Sequence, residues 1–357
     1  MPQHAREPVS VTDVASTAPR QTMRALVQDR YGSPGVLQIA HIPKPTPGPG
    51  EVVVQVKASS VNARDWHVMR GEPKLARLLD RSTFERLAPK VKVRGTDFAG
   101  VVESVGAGVS RWSPGDAVFG EAAAAIAEYV VVSQDLMAAV PQELTFEQAA
   151  AMPLAANTAL VCLGAGNAQA GQHILINGAS GGVGTFAVQM ATSMGIHVTA
   201  VCSARNVDLL RSLGAQSVID YQRRDFTSGQ NRFDVVLDLV GNRTLRDLLR
   251  VVSPTGTLVL SGGGVSGQGR VVGPLALLVR AQVAARLRHL PVRTPAATPS
   301  RRNLEELARL AGTGEFVPVV DRTYPFEAAA DAIRYLETEH ARAKVVITHG
   351  PQITRPS

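Results

Sequence analysis

The stretch Asn177-Gly178-Ala179-Ser180-Gly181-Gly182-Val183-Gly184 has the residue types that hold a phosphate. Glycines let backbone N–H groups approach an anion closely, and a helix N-terminus behind them adds positive partial charge. Set against G-x-G-x-x-G, Ala179 takes the first glycine position, Gly181 the second and Gly184 the third. Gly181 leaves room for phosphate, and Gly184 lets the following helix pack on its strand. Ser180, Gly182 and Val183 complete the turn. A glycine triplet alone is a weak signal, so the flanks decide. Before it, His173 to Ile176 is a short apolar run suited to a buried parallel strand. After it, Val183, Ala187, Met190 and Met194 fall on one apolar helix face, and Gly195 stands where that helix would stop.

The elements that must position this turn repeat its strand–helix alternation. Val198 to Cys202, Ser217 to Asp220, Phe233 to Leu237 and Thr257 to Leu260 read as strands, with helices at Val207 to Leu213 and Thr244 to Val251. Such units close as a doubly wound parallel sheet, an α/β fold. Beyond them we expect a basic helix over Leu275 to Arg288, a loop over Pro291 to Ser300 and a helix over Leu304 to Leu310. A strand over Phe316 to Val320, a helix over Phe326 to Leu336 and a strand over Lys344 to Thr348 follow. Ahead of the turn the chain is mainly β, with strands at Met23 to Gln28, Val36 to His41, Glu51 to Lys57, Thr96 to Val105, Gly115 to Phe119 and Glu128 to Val132. Thr145 to Met152 begins a helical connection. Ser60 to His67 reads as too polar for a core element. Gly71 to Arg94 is charged, with Leu75, Leu78 and Leu79 hinting at a short helix, the kind of insertion that covers a pocket.

A chain of 357 residues suits two domains with sizeable cores. Its hydrophobic share of 45% and mean hydropathy of +0.05 are those of a soluble globular protein. Cys162 and Cys202 are the only cysteines, and both lie in apolar segments, which reads as reduced thiols in a cytoplasmic setting. Met1 to Thr22 has no apolar h-region and reads as a disordered lead-in. The longest apolar stretch, Val271 to Val279, contains Pro274 and is too short for a membrane span. The formal charge is +7, and seven arginines without one acid lie between Arg270 and Arg302. That stretch is either a solvated basic face, or it steers a cofactor phosphate or meets an acidic partner. It lacks the interleaved aromatics that nucleic-acid bases would stack on.

Several phrases in order resemble the medium-chain dehydrogenase/reductase superfamily, and within it the zinc-independent quinone oxidoreductase-like branch. They are Ser60-Val61-Asn62 with Asp65, Gly95 to Val102, Gly106 to Val118, Ala156 to Ala159, the glycine turn, and Ala343 to Val346. The resemblance implies a GroES-like β domain built from both chain ends, a Rossmann domain between them and an active cleft at their junction. The boundaries expected are a lead-in over 1–22, the GroES-like catalytic domain over 23–152, the Rossmann domain over 153–300 and a return to the catalytic domain over 301–357. It also implies a homodimer. Zinc-dependent relatives place a cysteine at Asn62, a His-Glu pair at Thr96-Asp97 and another cysteine near Ala155 or Ala156. Asn, Thr and Ala supply neither thiolate nor imidazole, so no metal is expected.

Cofactor choice rests on the end of the second strand, Val201-Cys202-Ser203-Ala204-Arg205. NAD binders carry an acid there, about twenty residues past the glycines, for the ribose hydroxyls. A serine and an arginine would instead hold a 2′-phosphate, so NADPH is the expected cofactor. The other reading makes Ser203 a helix-start residue and Arg205 a surface charge. By resemblance, Tyr221 packs beside that phosphate, Asn62 and Thr158 lie near the nicotinamide, Leu239, Val240 and Gly241 near its ribose, and Gly262 against the cofactor backbone. Lys344 matches a cofactor-proximal lysine or is a plain strand-edge charge. His67 either lines the cleft, as a proton source, or is an ordinary loop residue. The activity implied is hydride transfer from NADPH to a quinone or an α,β-unsaturated carbonyl. An enoyl-thioester reductase is the alternative enzyme, and a cofactor- or single-stranded nucleic-acid-binding protein with little turnover the alternative of another class.

Overall fold

The computed structural model describes residues 21–261, apart from 76, 78, 79, 82 and 86, and residues 281–350, apart from 284, 287–290 and 340. The readings for 1–20, Leu78, Leu79, Gly262 to Gly264, the apolar stretch 271–279 and most of the Leu275 to Arg288 helix lie outside these residues, as do Arg270, Arg280 and Arg288.

Two sheets carry the fold. The first joins β3 (Glu51–Val61), β4 (Asp97–Val105), β5 (Ala117–Glu121), β6 (Tyr129–Ser133) and β7 (Met137–Ala139) to β14 (Val320–Pro325) and β15 (Lys344–Thr348), in the order β14-β15-β3-β4-β5-β7 with β6 on β3. It thus takes strands from both ends of the chain, beside a hairpin of β1 (Thr22–Gln28) and β2 (Leu37–Pro43). The second is parallel throughout, with β8 (His173–Asn177), β9 (His197–Cys202), β10 (Ser217–Asp220), β11 (Phe233–Asp238), β12 (Val252–Leu260) and β13 (Val292–Arg293) ordered β10-β9-β8-β11-β12-β13. Numbered within the sheet this is 3-2-1-4-5-6, the doubly wound order whose crevice opens where β8 meets β11. The apolar run of β8 is buried on both faces. Ile174 and Ile176 enter one core, while Leu175 enters the core on the opposite side. Among the described residues no helix is long and apolar enough to cross a membrane.

Four local readings need correction. Ser60 to His67 is a core element after all: β3 runs through Val61, a helix spans Ala63–Arg70, and Ser60, Asn62 and Asp65 are buried. Its polar groups satisfy one another, so polarity did not mean exposure. Pro291 to Ser300 is not all loop, since Val292–Arg293 adds a sixth strand to the parallel sheet. The strand expected over Phe316 to Val320 instead begins at Val320, while Phe316 packs edge-on against Phe186, ring centroids 5.2 Å apart. Met194 leaves the apolar helix face: the helix Gly182–Ser193 ends before it, Gly195 turns at φ +73°, and Met194 is 42% exposed.

Candidate active site

The glycine turn joins β8 to the helix Gly182–Ser193. Its tight bend falls at Gly178, φ +84°, one residue before the position first aligned to the motif. Ala179 is fully buried and its N–H donates to the Val201 carbonyl at 3.1 Å. Gly184 holds helix and turn together, because a Cβ there would lie 2.3 Å from the Gly178 carbonyl oxygen. Gly181 differs: the one atom within 4 Å of its added Cβ is that same oxygen, at 3.4 Å. Gly184 is required by packing, whereas Gly181 faces open space.

That space is a cavity of ≈ 830 Å³ between the two sheets. Asn62, His67, Thr158, Ser180, Gly181, Gly182, Val183, Gly184, Ser203, Arg205, Tyr221, Leu239, Val240 and Lys344 all line it. Gly241 does not; it turns at φ +73° and its N–H donates to Asp238 Oδ1 at 3.2 Å. Gly262 lies outside the described residues. Beside the turn, Ser180 Oγ accepts a hydrogen bond from Asn206 Nδ2 at 2.9 Å. Arg205 reaches the Glu339 carbonyl at 3.3 Å, and Cys202, whose thiol burial pushes up to about 11, is no thiolate nucleophile. The only carboxylates on the described wall, Glu72 and Asp80, follow the helix Ala63–Arg70 and are remote in sequence from Ser203 and Arg205. Sequence reading missed the crevice floor, where Asn177 Nδ2 donates to Asp238 Oδ1 at 2.8 Å and to Asn242 Oδ1 at 3.1 Å. A polar residue closing each of two neighbouring apolar strands was its signal.

On the other wall lies a buried ionic cluster. Asp97, fully buried, accepts hydrogen bonds from Ser60 Oγ at 2.8 Å, Asn62 Nδ2 at 2.9 Å and the Leu154 N–H at 3.3 Å. Lys344 is 2% exposed, so it is not a strand-edge charge; its Nζ bonds Asn62 Oδ1 and lies 3.5 Å from Asp97 Oδ2. Asp65 accepts from the Asn62 N–H at 2.7 Å, and its carboxyl is raised to about 6, by burial first. Arg94, also buried, is lowered to about 10 by desolvation. His67 stacks on Trp66, ring centroids 3.7 Å apart, with Nδ1 3.1 Å from the Glu72 carbonyl oxygen.

The two groups that such a fold can carry fit this site differently. A nicotinamide dinucleotide fits, since Gly181 leaves open space at a helix N-terminus inside the cavity. Zinc does not. The Lys344 ammonium lies against Asn62 and Asp97, two of the positions where zinc relatives keep ligands, and a second cation there would be repelled. Among the described residues no three histidines, cysteines or carboxylates gather into a metal-holding group.

Two family models match, "Alcohol dehydrogenase GroES-like domain" over residues 48–142 and "Zinc-binding dehydrogenase" over residues 213–347. The chain is 33% identical over 371 residues to the mitochondrial NAD(P)H oxidoreductase RTN4IP1 of Bos taurus, covering 95% of this chain and 92% of that protein. It is 31% identical over 361 residues to the chloroplastic NADPH-dependent alkenal/one oxidoreductase of Arabidopsis thaliana, covering 97% and 84%. Among solved structures it is similar to the quinone oxidoreductase from Coxiella burnetii, at 28% identity and a TM-score of 0.76, covering 92% of this chain and 99% of that one.

Proposed function

The chain belongs to the quinone oxidoreductase-like branch of the medium-chain dehydrogenase/reductase superfamily, and from that premise we propose that it is a zinc-independent NADPH-dependent reductase of quinones or α,β-unsaturated carbonyls. One observation carries the cofactor choice: Ser203, Arg205 and Tyr221 line the same cavity as the glycine turn. When bound, the nicotinamide supplies hydride. The chain's share is to bind and orient. The open space at Gly181, at the N-terminus of the helix Gly182–Ser193, would take the pyrophosphate, and Arg205 the 2′-phosphate. Thr158 and Asn62 sit beside the reacting end, where Leu154, Val61 and Val240 help exclude water. We assign the catalytic domain to 23–152 and 301–357, and the cofactor domain to 153–300. Two buried free thiols suit a cytoplasmic, reducing compartment, and the short strand β13 at one end of the parallel sheet suits a homodimer.

The test is direct. NADPH oxidation against quinones, enones and acyl thioesters identifies the acceptor class. A charge-assisted contact is worth about 1.5–3 kcal/mol, so Arg205→Ala weakens NADPH binding roughly 10- to 100-fold and leaves NADH nearly unchanged. Equal loss for both cofactors, measured by calorimetry, refutes the phosphate assignment.

A further inference from the structure

Glu121 is a buried ionisable group that this reading leaves without a task. It ends β5 directly opposite Asp97 in the antiparallel β4–β5 ladder. The two side chains therefore rise from one face, with Cβ atoms about 5 Å apart. Glu121 is 8% exposed and its Oε1 has no hydrogen-bond partner. From Asp97 the contacts run to Lys344 Nζ at 3.5 Å, and Lys344 forms part of the cavity wall. A line of ionisable groups thus leads from the sheet interior to the place where an acceptor would bind.

The charges facing Glu121 are Asp97 on β4, Arg64 on the helix Ala63–Arg70 and Lys344 on β15. Those facing Lys344 are Asp97, Asp65 and Glu121. Two carboxylates opposed in a dry sheet resist ionising together. Burial, with Asp97 opposite, accordingly pushes Glu121 up to about 8, while burial draws Lys344 below its ordinary value. At neutral pH Glu121 holds a proton behind a lysine made more acidic.

We propose that Lys344 donates the proton that completes reduction of the acceptor, and that Glu121 resupplies it through Asp97. This rests on the reductase reading above. Once the acceptor has taken up hydride, its oxygen carries the displaced electron pair. An N–H bond of the Lys344 ammonium breaks and an O–H bond forms on the acceptor, leaving a neutral amine. The Glu121 O–H bond then breaks, and its proton passes by way of the Asp97 carboxylate to Lys344 Nζ, leaving Glu121 ionised. Solvent returns a proton to Glu121 at its exposed edge. Lys344 is the group that touches the acceptor; Asp97 and Glu121 act through it.

Glu121→Gln keeps the shape and removes the proton. Steady-state turnover with NADPH and either 2-cyclohexen-1-one or 1,4-benzoquinone, in H₂O and D₂O from about pH 6 to about pH 9, reads the resupply of the proton. Wild type loses rate above about pH 8 with a solvent isotope effect, as expected when Glu121, the group that resupplies the proton, ionises. That limb vanishes in Glu121→Gln, which is slowed about 10-fold with cofactor affinity kept, and Lys344→Met is slowed about 100-fold. Independently of turnover, an infrared titration of the cofactor-free protein shows a protonated-carboxyl band with its midpoint near 8, absent from Glu121→Gln. A Glu121 already ionised at neutral pH, matching pH profiles, or an unimpaired Lys344→Met overturns the proposal. NADPH left unconsumed by every acceptor overturns the reaction itself; the carboxyl band in that same protein then places the failure in the reaction and not in Glu121.

Discussion

Gly181 and Gly184 occupy successive places in one motif, yet they answer to different forces. A methyl group at Gly184 would sit 2.3 Å from one backbone oxygen and 2.5 Å from another, neither of which can give way without moving the turn. Gly184→Ala is therefore expected to destabilise the fold by about 1–3 kcal/mol, seen as a lower melting temperature even without cofactor. Gly181→Ala meets only ordinary contact and leaves the melting temperature unchanged, while its methyl group fills space kept for phosphate and weakens NADPH binding. Calorimetry of both variants separates the roles; equal stability losses would contradict them. The motif's spacing was legible because glycine types and intervals encode local geometry. The bend at Gly178 was not, since what excludes a side chain there is Val240, sixty-two residues on, whose Cγ2 would lie 2.7 Å from an added Cβ.

At the scale of elements, apolar periodicity located most strands and helices, because burial on one or both faces writes itself into residue types. It failed where an element is stabilised by other means. The edge strand β14 carries Asp321, Arg322 and Thr323 between Val320 and Tyr324, so no apolar run marked it. Ser60 to His67 hid a strand end and a helix because its buried polar groups pair with Asp97, a strand distant in sequence. The same limit concealed how the sheets meet. Just before β15, the Ala343 N–H donates to the Ser180 carbonyl at 2.8 Å, joining the first sheet's last strand to the glycine turn. Ala343 does so at φ +53°, a conformation proline cannot adopt and glycine adopts freely. Ala343→Pro removes the donor and should weaken NADPH at least about 10-fold, the loss of one net hydrogen bond plus the misplaced turn. Ala343→Gly keeps the N–H and should bind as wild type does. Binding retained by the proline variant would show that this bridge does not shape the site.

For the whole molecule, the buried ionisable groups set where in pH the fold is most stable, and net charge does not. The sequence pI is ≈ 9.8, but stability optima follow the groups whose proton affinity changes on folding. His349 is buried among Ser59 and Phe326, and desolvation lowers it from 6.5 to about 3. Its contribution is full above 6.5 and is lost as pH falls toward 3. Glu121 runs the other way: burial raises it from 4.5 to about 8, so its contribution is full below 4.5 and drains away as pH rises to 8. Asp65 adds a similar loss between 3.8 and about 6. Between 4.5 and 6.5 the histidine's gain opposes the carboxylates' loss, and from 6.5 to 8 Glu121 acts with little opposition. From about 4.5 to 6 two carboxylates lose against the one histidine's gain, so stability from these groups should be greatest near pH 4.5 and decline above it. At about 1.4 kcal/mol per pH unit, the fall from pH 6.5 to 8 amounts to about 2 kcal/mol, or about 2–3 °C in melting temperature for a chain of this size. Glu121→Gln carries no titrating proton and should hold its melting temperature across that interval. Melting curves of both proteins at matched ionic strength make the comparison, and parallel declines would mean that Glu121 is already ionised at neutral pH.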